Sequence, residues 1–207
     1  MHESRTCPSN TLKILSSDTP NFYPEEDVLL GNLGVKQGLP DFLEIFSQSK
    51  AVERGWELDI HGGGEEKFRW IETLKETRGC HLGDVLDKDQ YLVAMLSCTA
   101  CLITQRPGVG ANFLPSKLLP ALATGTPVLA VCDRHSPLAN EVLEGGFGEV
   151  VSPGDATALA DILRKWQADP SKLVEFGSKA AERAELYGRN KILSRYLEEL
   201  SVLSRHG

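Results

Sequence analysis

The sequence predicts an α/β protein built on a doubly wound, parallel, Rossmann-like sheet. Three observations carry that reading. Short apolar runs alternate with helix-period segments along most of the chain, the signature of strand and crossover-helix units. Glycine-bearing turns follow the apolar runs and lead into helices, where an antiparallel sheet would show two-residue hairpins. The stretch from Leu114 to Ala130 reads as a helix start followed directly by a buried strand. Pro115 needs no amide partner at a first helical position, Gly125 stops the helix, and Thr126-Pro127 turns into the apolar run Val128 to Val131.

The elements follow in order. Met1 to Pro24 is rich in Ser, Thr, Asn and Pro with one apolar patch at Leu12 to Leu15, and residues 1–26 read as a linker or fragment edge. Asp27 to Gly31 reads as a buried strand, and Pro40 to Lys50 as a helix with Phe42, Leu43 and Phe46 on one face. Trp56 to Ile60 is a second strand, with Glu65 to Thr77 as its helix. Cys80 to Leu82 is a third strand, Asp87 to Leu96 a helix with an acidic first turn, and Ala100 to Gln105 a fourth strand. A helix over Pro115 to Thr124 and a strand over Pro127 to Val131 follow. A helix at Pro137 to Glu144, a strand at Glu149 to Val151 and a helix at Asp155 to Gln167 complete residues 27–170. Residues 171–207 are helical in pattern, interrupted at Gly188. They read either as closing helices on this domain or as helices packing on a partner domain.

Composition excludes several functions. With 207 residues and 41% hydrophobic content, the chain can bury one good core. A net charge of −7 with scattered Lys and Arg offers no basic stripe, so no nucleic-acid partner is expected. No apolar run reaches membrane-spanning length, and residues 1–10 lack the apolar core of a signal peptide. Of five cysteines, Cys98, Cys101 and Cys132 lie in apolar segments, which predicts buried, reduced thiols in a cytoplasmic setting. The Cys98-Thr-Ala-Cys101 pair has no second pair at metal-site spacing and runs into a strand, so no metal site is expected. His61, His81 and His135 are too separated for one, and each sits at a strand end or loop in a structural or substrate-contact position.

Three glycine turns bear on function. Gly31-Asn32-Leu33-Gly34-Val35-Lys36-Gln37-Gly38 lets backbone amides approach an anion, with Lys36 adding charge, although no dinucleotide fingerprint fits. His61-Gly62-Gly63-Gly64-Glu65 is either a second ligand turn or a flexible helix start. Gln105 to Phe113 is a long polar loop leading into Pro115-Ser116-Lys117, where free helix-start amides favour a phosphate. Together the turns predict a phosphate-sized cradle beyond the carboxyl ends of the strands.

These residues resemble a family. The first two turns, the run from Leu114 to Leu118 and on through Ala130, and Glu149-Val150-Val151-Ser152-Pro153-Gly154-Asp155 are similar to the donor-binding, C-terminal half of glycosyltransferase family 4. That family has the two-domain GT-B fold, and the similarity is to its colanic-acid and exopolysaccharide members, over about Asp27 to Gln167. The resemblance implies a nucleotide-diphosphate sugar bound here and its sugar passed, by retaining transfer, to an acceptor held by a preceding domain or subunit. It implies no cofactor and no metal, a cytoplasmic location, and peripheral contact with the inner face of a membrane through the partner domain.

Carried over by position, Gly34 and Lys36 lie near the diphosphate, and Ser116 and Lys117 contact it. Lys36 and Lys117 are then the cations that stabilise the departing diphosphate. Gly110, Ala111, Asn112, Phe113 and Leu114 form the loop beneath the sugar, and the backbone around His81 and Leu82 meets the base. Departures stand beside the matches. Two glutamates eight positions apart recur in the family, and Asn112 and Pro120 occupy those positions here; Asn32 replaces a common Arg and Gln37 a common Lys. Pro120, read as a turn into the helix, is expected to cost about 3 kcal/mol unless the helix is kinked or frayed. Two other readings remain: a non-catalytic module or subunit that has lost the ribose-binding carboxylate, and a nucleotide-sugar 2-epimerase fragment, for which no acid and base pair is evident.

Overall fold

The structure, a computed structural model, describes residues 10–15, 38–62, 76–109 and 113–188. Six parallel strands form one sheet: β1 (Asn10–Leu15), β2 (Trp56–His61), β3 (Cys80–Gly83), β4 (Ala100–Thr104), β5 (Val128–Val131) and β6 (Gly148–Val151), in the order β3-β2-β1-β4-β5-β6. Leu12 stands opposite Leu58 of β2 on one side and Ala100 of β4 on the other, and Leu102 opposite Leu129 of β5. The helices are α1 (Leu39–Gln48), α2 (Lys88–Ser97), α3 (Leu118–Ala123), α4 (Pro137–Gly145), α5 (Ala156–Ala168) and α6 (Ser171–Ala184). This is the doubly wound α/β architecture that the sequence predicts.

Central strands buried on both faces explain the unbroken apolar runs. On β4 and β5, Ala100, Leu102, Leu129 and Val131 join α1 and α5 in one core cluster. The intervening Cys101, Ile103, Val128 and Ala130 join α2, α3 and α4 in the other. Towards the β3 edge the second face is polar: Trp56, Leu58 and Ile60 are buried, whereas Glu57 is exposed and Asp59 and His61 half-buried. The exposed His81 lies 3.9 Å from Glu57 there.

Two expectations are corrected. Residues 10–15, placed by composition within a linker, form a central strand of the sheet. Leu12 and Ile14 stand two apart, a strand period in a patch too short to outweigh its Ser- and Pro-rich surroundings. The other concerns α3, which begins at Leu118 and not at Pro115; residues 115–117 form a tighter turn in which Leu118 donates to the Pro115 carbonyl (3.0 Å) and Leu119 to that of Ser116 (3.2 Å). Pro120 is therefore the third residue of α3, where an N–H would have had no helical acceptor, and the expected penalty does not arise. The strand expected at Asp27 to Gly31, most of the helix expected at Glu65 to Thr77 and the tail beyond residue 188 lie outside the described residues.

Beyond the sheet, α6 packs back onto the domain. Phe176 stands edge-on to Trp166 of α5 with ring centroids 6.2 Å apart, and Ala180 enters the second core cluster. Arg183 clamps Glu141 of α4 with two hydrogen bonds of 2.6 and 2.7 Å.

Candidate functional site

The strand order reverses direction between β1 and β4, and in open α/β sheets the crevice beyond that point is where ligands bind. Several connections converge on this carboxyl edge. After β4 the chain runs from Gln105 to Lys117 before entering α3. Gly38 caps α1 with φ +62°, a left-handed conformation, and a Cβ there would lie 2.9 Å from Arg106 Cγ, so glycine brings α1 against the start of the β4 loop. Gly108 donates its N–H to the Asp133 carboxylate after β5 (2.7 Å), and Arg134 Nε donates to the Ser152 hydroxyl after β6 (3.2 Å).

Two side chains at the ends of the β4 loop are buried without partners among the described residues. Gln105 is 4% exposed, and neither atom of its amide has a hydrogen-bond partner among the described residues. An unpaired buried polar group costs about 1–3 kcal/mol. Lys117 is 8% exposed. Burial pushes its ammonium down to about 8, an effect that the nearby Cys101 opposes. Yet burial pushes the Cys101 thiol up to about 12, so at neutral pH Cys101 is uncharged and supplies no counter-ion. Lys117 is thus a buried cation with no hydrogen bond or ion pair among the described residues, a position that an arriving anion would relieve.

The glycosyl transferases group 1 sequence family matches residues 27–169. The chain belongs to this family. Among curated relatives, WcaI of Escherichia coli (strain K12), provisionally named a colanic acid biosynthesis glycosyl transferase, is 27% identical over 140 residues, or 65% of this chain and 33% of WcaI. Sucrose-phosphate synthase from Thermosynechococcus elongatus superposes with a TM-score of 0.68 at 20% identity, covering 97% of this chain and 47% of that one. Anabaena HepE, solved in complex with UDP-glucose, superposes with a TM-score of 0.64 at 18% identity, covering 94% of this chain and 49% of HepE. The chain spans 33% of the length of the curated relative and about half of each of these two structures.

In this member of the group 1 family, the predicted site residues fall into three sets. Ser116, Lys117, Phe113 and Leu114 come together at the entry to α3, with Ser116 and Phe113 exposed, Leu114 packed against the second core cluster, and Lys117 buried. His81 and Leu82 lie on the edge strand β3, whose Gly83 leaves no room for a Cβ beside the His61 ring; His61 Nδ1 lies 3.3 Å from the Asp84 carbonyl. Gly34, Lys36, Gly110, Ala111 and Asn112 lie outside the described residues. Cys80, Cys98, Cys101 and Cys132 form no disulfide, and no group of three or more His, Cys, Asp or Glu that could hold a metal occurs among the described residues. No described helix is long and apolar enough to cross a membrane.

The sequence places Gln105 and Arg106 in the polar loop without a role of their own, and Asp133 of this edge carries no sequence signal. The Arg106-Pro107-Gly108 spacing was a legible turn signal, but nothing in the sequence ties Gly108 to a carboxylate 25 residues away.

Proposed function

We propose that this chain is the donor-binding half of a retaining glycosyltransferase, taking a nucleotide-diphosphate sugar at the carboxyl edge of the sheet. The observation that carries the reading is Lys117: a lysine only 8% exposed, with no counter-ion among the described residues, at the end of the loop that crosses the switch point, in a chain of the group 1 family. A diphosphate meets that requirement, because it brings negative charge to Lys117. The UDP-glucose complex of HepE, which shares the fold, supports a nucleotide sugar as the ligand class.

In the transfer, the bond from the anomeric carbon to the diphosphate oxygen breaks and its electron pair leaves with the diphosphate. The acceptor hydroxyl bonds the same carbon, and its proton passes to the departing diphosphate oxygen. What this half contributes is charge: Lys117, Lys36 and backbone amides of the loops stabilise the diphosphate as it departs. Ser116 offers a hydroxyl at the same turn. With six residues, α3 has too short a dipole to supply that stabilisation alone, so the lysines dominate. Gly34 and the loop Gly110 to Leu114 form the walls for diphosphate and sugar, and the backbone at His81 and Leu82 meets the base. The acceptor is held by a partner domain or subunit, which also closes the cleft against water and contacts the membrane face.

Titration of the chain with UDP, GDP, ADP and dTDP and their sugars, by calorimetry, tests the reading. Saturable binding of at least one nucleotide sugar is the expected result; no binding of any at millimolar ligand overturns it.

A further inference from the structure

The turn that opens the β4 loop fixes a cation at the crevice. Val109 donates its N–H to the Arg106 carbonyl (3.2 Å), Pro107 takes the second position, and Gly108 takes the third with φ +74°. Proline there, followed by a left-handed glycine, is what a type II turn requires. Gly108 is tied through its N–H to Asp133. On its other side the Arg106 backbone meets Gly38, where a Cβ would lie 3.2 Å from both its Cα and its N. The backbone is thus held by three elements, whereas the side chain is exposed and makes no hydrogen bond or ion pair among the described residues.

Three other features of this edge bear on what that cation would meet. One residue back, the Gln105 amide is buried with both atoms unpartnered among the described residues. Gly38 starts the ten-residue α1 with no side-chain cap, so the Leu39 and Asp41 N–H groups have no helical acceptor. Lys117, at the far end of the same loop, has no hydrogen bond or ion pair among the described residues. Of the nearby carboxylates, Asp133 is already engaged by Gly108, and Asp41 is exposed in the first turn of α1.

We propose that Arg106 binds the diphosphate of the donor from the α1 side of the crevice while Lys117 approaches it from the α3 side. The proposal rests on the donor-binding reading above. A guanidinium suits the task because its planar fork meets two phosphate oxygens with parallel N–H groups, which an ammonium cannot do. Held by the turn and by Gly38, it loses little backbone freedom on binding.

The test is calorimetric titration of the 207-residue chain with UDP and UMP, repeated with Arg106→Gln and Arg106→Lys, at low and at physiological salt. Arg106→Gln is expected to weaken UDP about tenfold or more, to weaken UMP less, and to flatten the salt dependence of UDP binding. Arg106→Lys is expected to recover part of the loss. Because the side chain is exposed, the thermal midpoint of Arg106→Gln should match the wild type, which separates lost contact from lost fold. Unchanged UDP affinity in Arg106→Gln, with the wild type binding, overturns the assignment of Arg106 alone. If the wild type binds no nucleoside diphosphate, GDP, ADP and dTDP included, the donor reading falls and this proposal with it.

Discussion

Gly108 donates its backbone N–H to the Asp133 carboxylate at 2.7 Å, joining the loop after β4 to the loop after β5 across the carboxyl edge. Without that bond the Arg106–Val109 turn would hold only through its own hydrogen bond and its contact with Gly38. Asp133→Ala is therefore expected to weaken nucleoside diphosphate binding about two- to tenfold, the worth of one hydrogen bond. Calorimetry on the variant, with thermal unfolding alongside, checks this; a lowered midpoint with unchanged affinity would assign Asp133 to stability alone.

Lys117 carries a prediction about pH. Its folded-state pKa is lowered to about 8, so across roughly pH 8 to 10.5 the unfolded chain holds a proton that the folded chain has released. From that group, stability rises with pH over the window and is flat below it. Lys117→Met removes the buried charge: its thermal midpoint at pH 7 should exceed that of the wild type by about 2–4 °C per kcal/mol gained, and the rise above pH 8 should vanish. Thermal unfolding from pH 6 to 10 measures both.

Arg183 and Glu141 join α6 to α4. The Arg183 hydrogen bonds hold the Glu141 carboxyl below the usual carboxylate range, so the pair stabilises the fold above the unfolded pKa of Glu141 and is lost as pH falls through the lowered folded value. Arg183→Met should cost about 1.5–3 kcal/mol at neutral pH by leaving the largely buried Glu141 carboxylate with only its Tyr187 hydrogen bond, with the difference shrinking in acid. Denaturant unfolding at two pH values reads this directly.

Gly177 brings α6 against the end of α3. A Cβ on Gly177 would lie 2.8 Å from the Gly125 carbonyl oxygen, and Gly125 itself sits at φ +59°. Gly177→Ala is expected to destabilise by about 1–3 kcal/mol, because a backbone oxygen must move. An unchanged midpoint in thermal unfolding would show that α6 shifts freely.

How far the sequence was legible follows the reach of each signal. Periodicity is local, and it found β2 to β6 and α1, α2, α4 and α5 within a residue or two; the Asp87–Gln90 capping box at α2 and Ser136 at α4 mark starts that the chain itself declares. The strand at Asn10–Leu15 escaped because its support comes from β2 and β4, which are remote in sequence. At the site, Lys117 was legible as a cation beside a helix start, but its burial was not, since that depends on residues remote in sequence, Cys101 of β4 among its neighbours. Pro120 looks costly only if the helix starts three residues too early, at Pro115; the start at Leu118 places it where proline is tolerated.

The central claim is that the carboxyl edge binds a diphosphate through Lys117. Its most direct test is calorimetric titration of the wild type and Lys117→Met with a nucleoside diphosphate at pH 7 and at pH 9. The account predicts saturable binding at pH 7, weaker binding to the wild type at pH 9 as Lys117 loses its proton, and weak, pH-independent binding to Lys117→Met. Equal affinity of the two proteins at both pH values would contradict it.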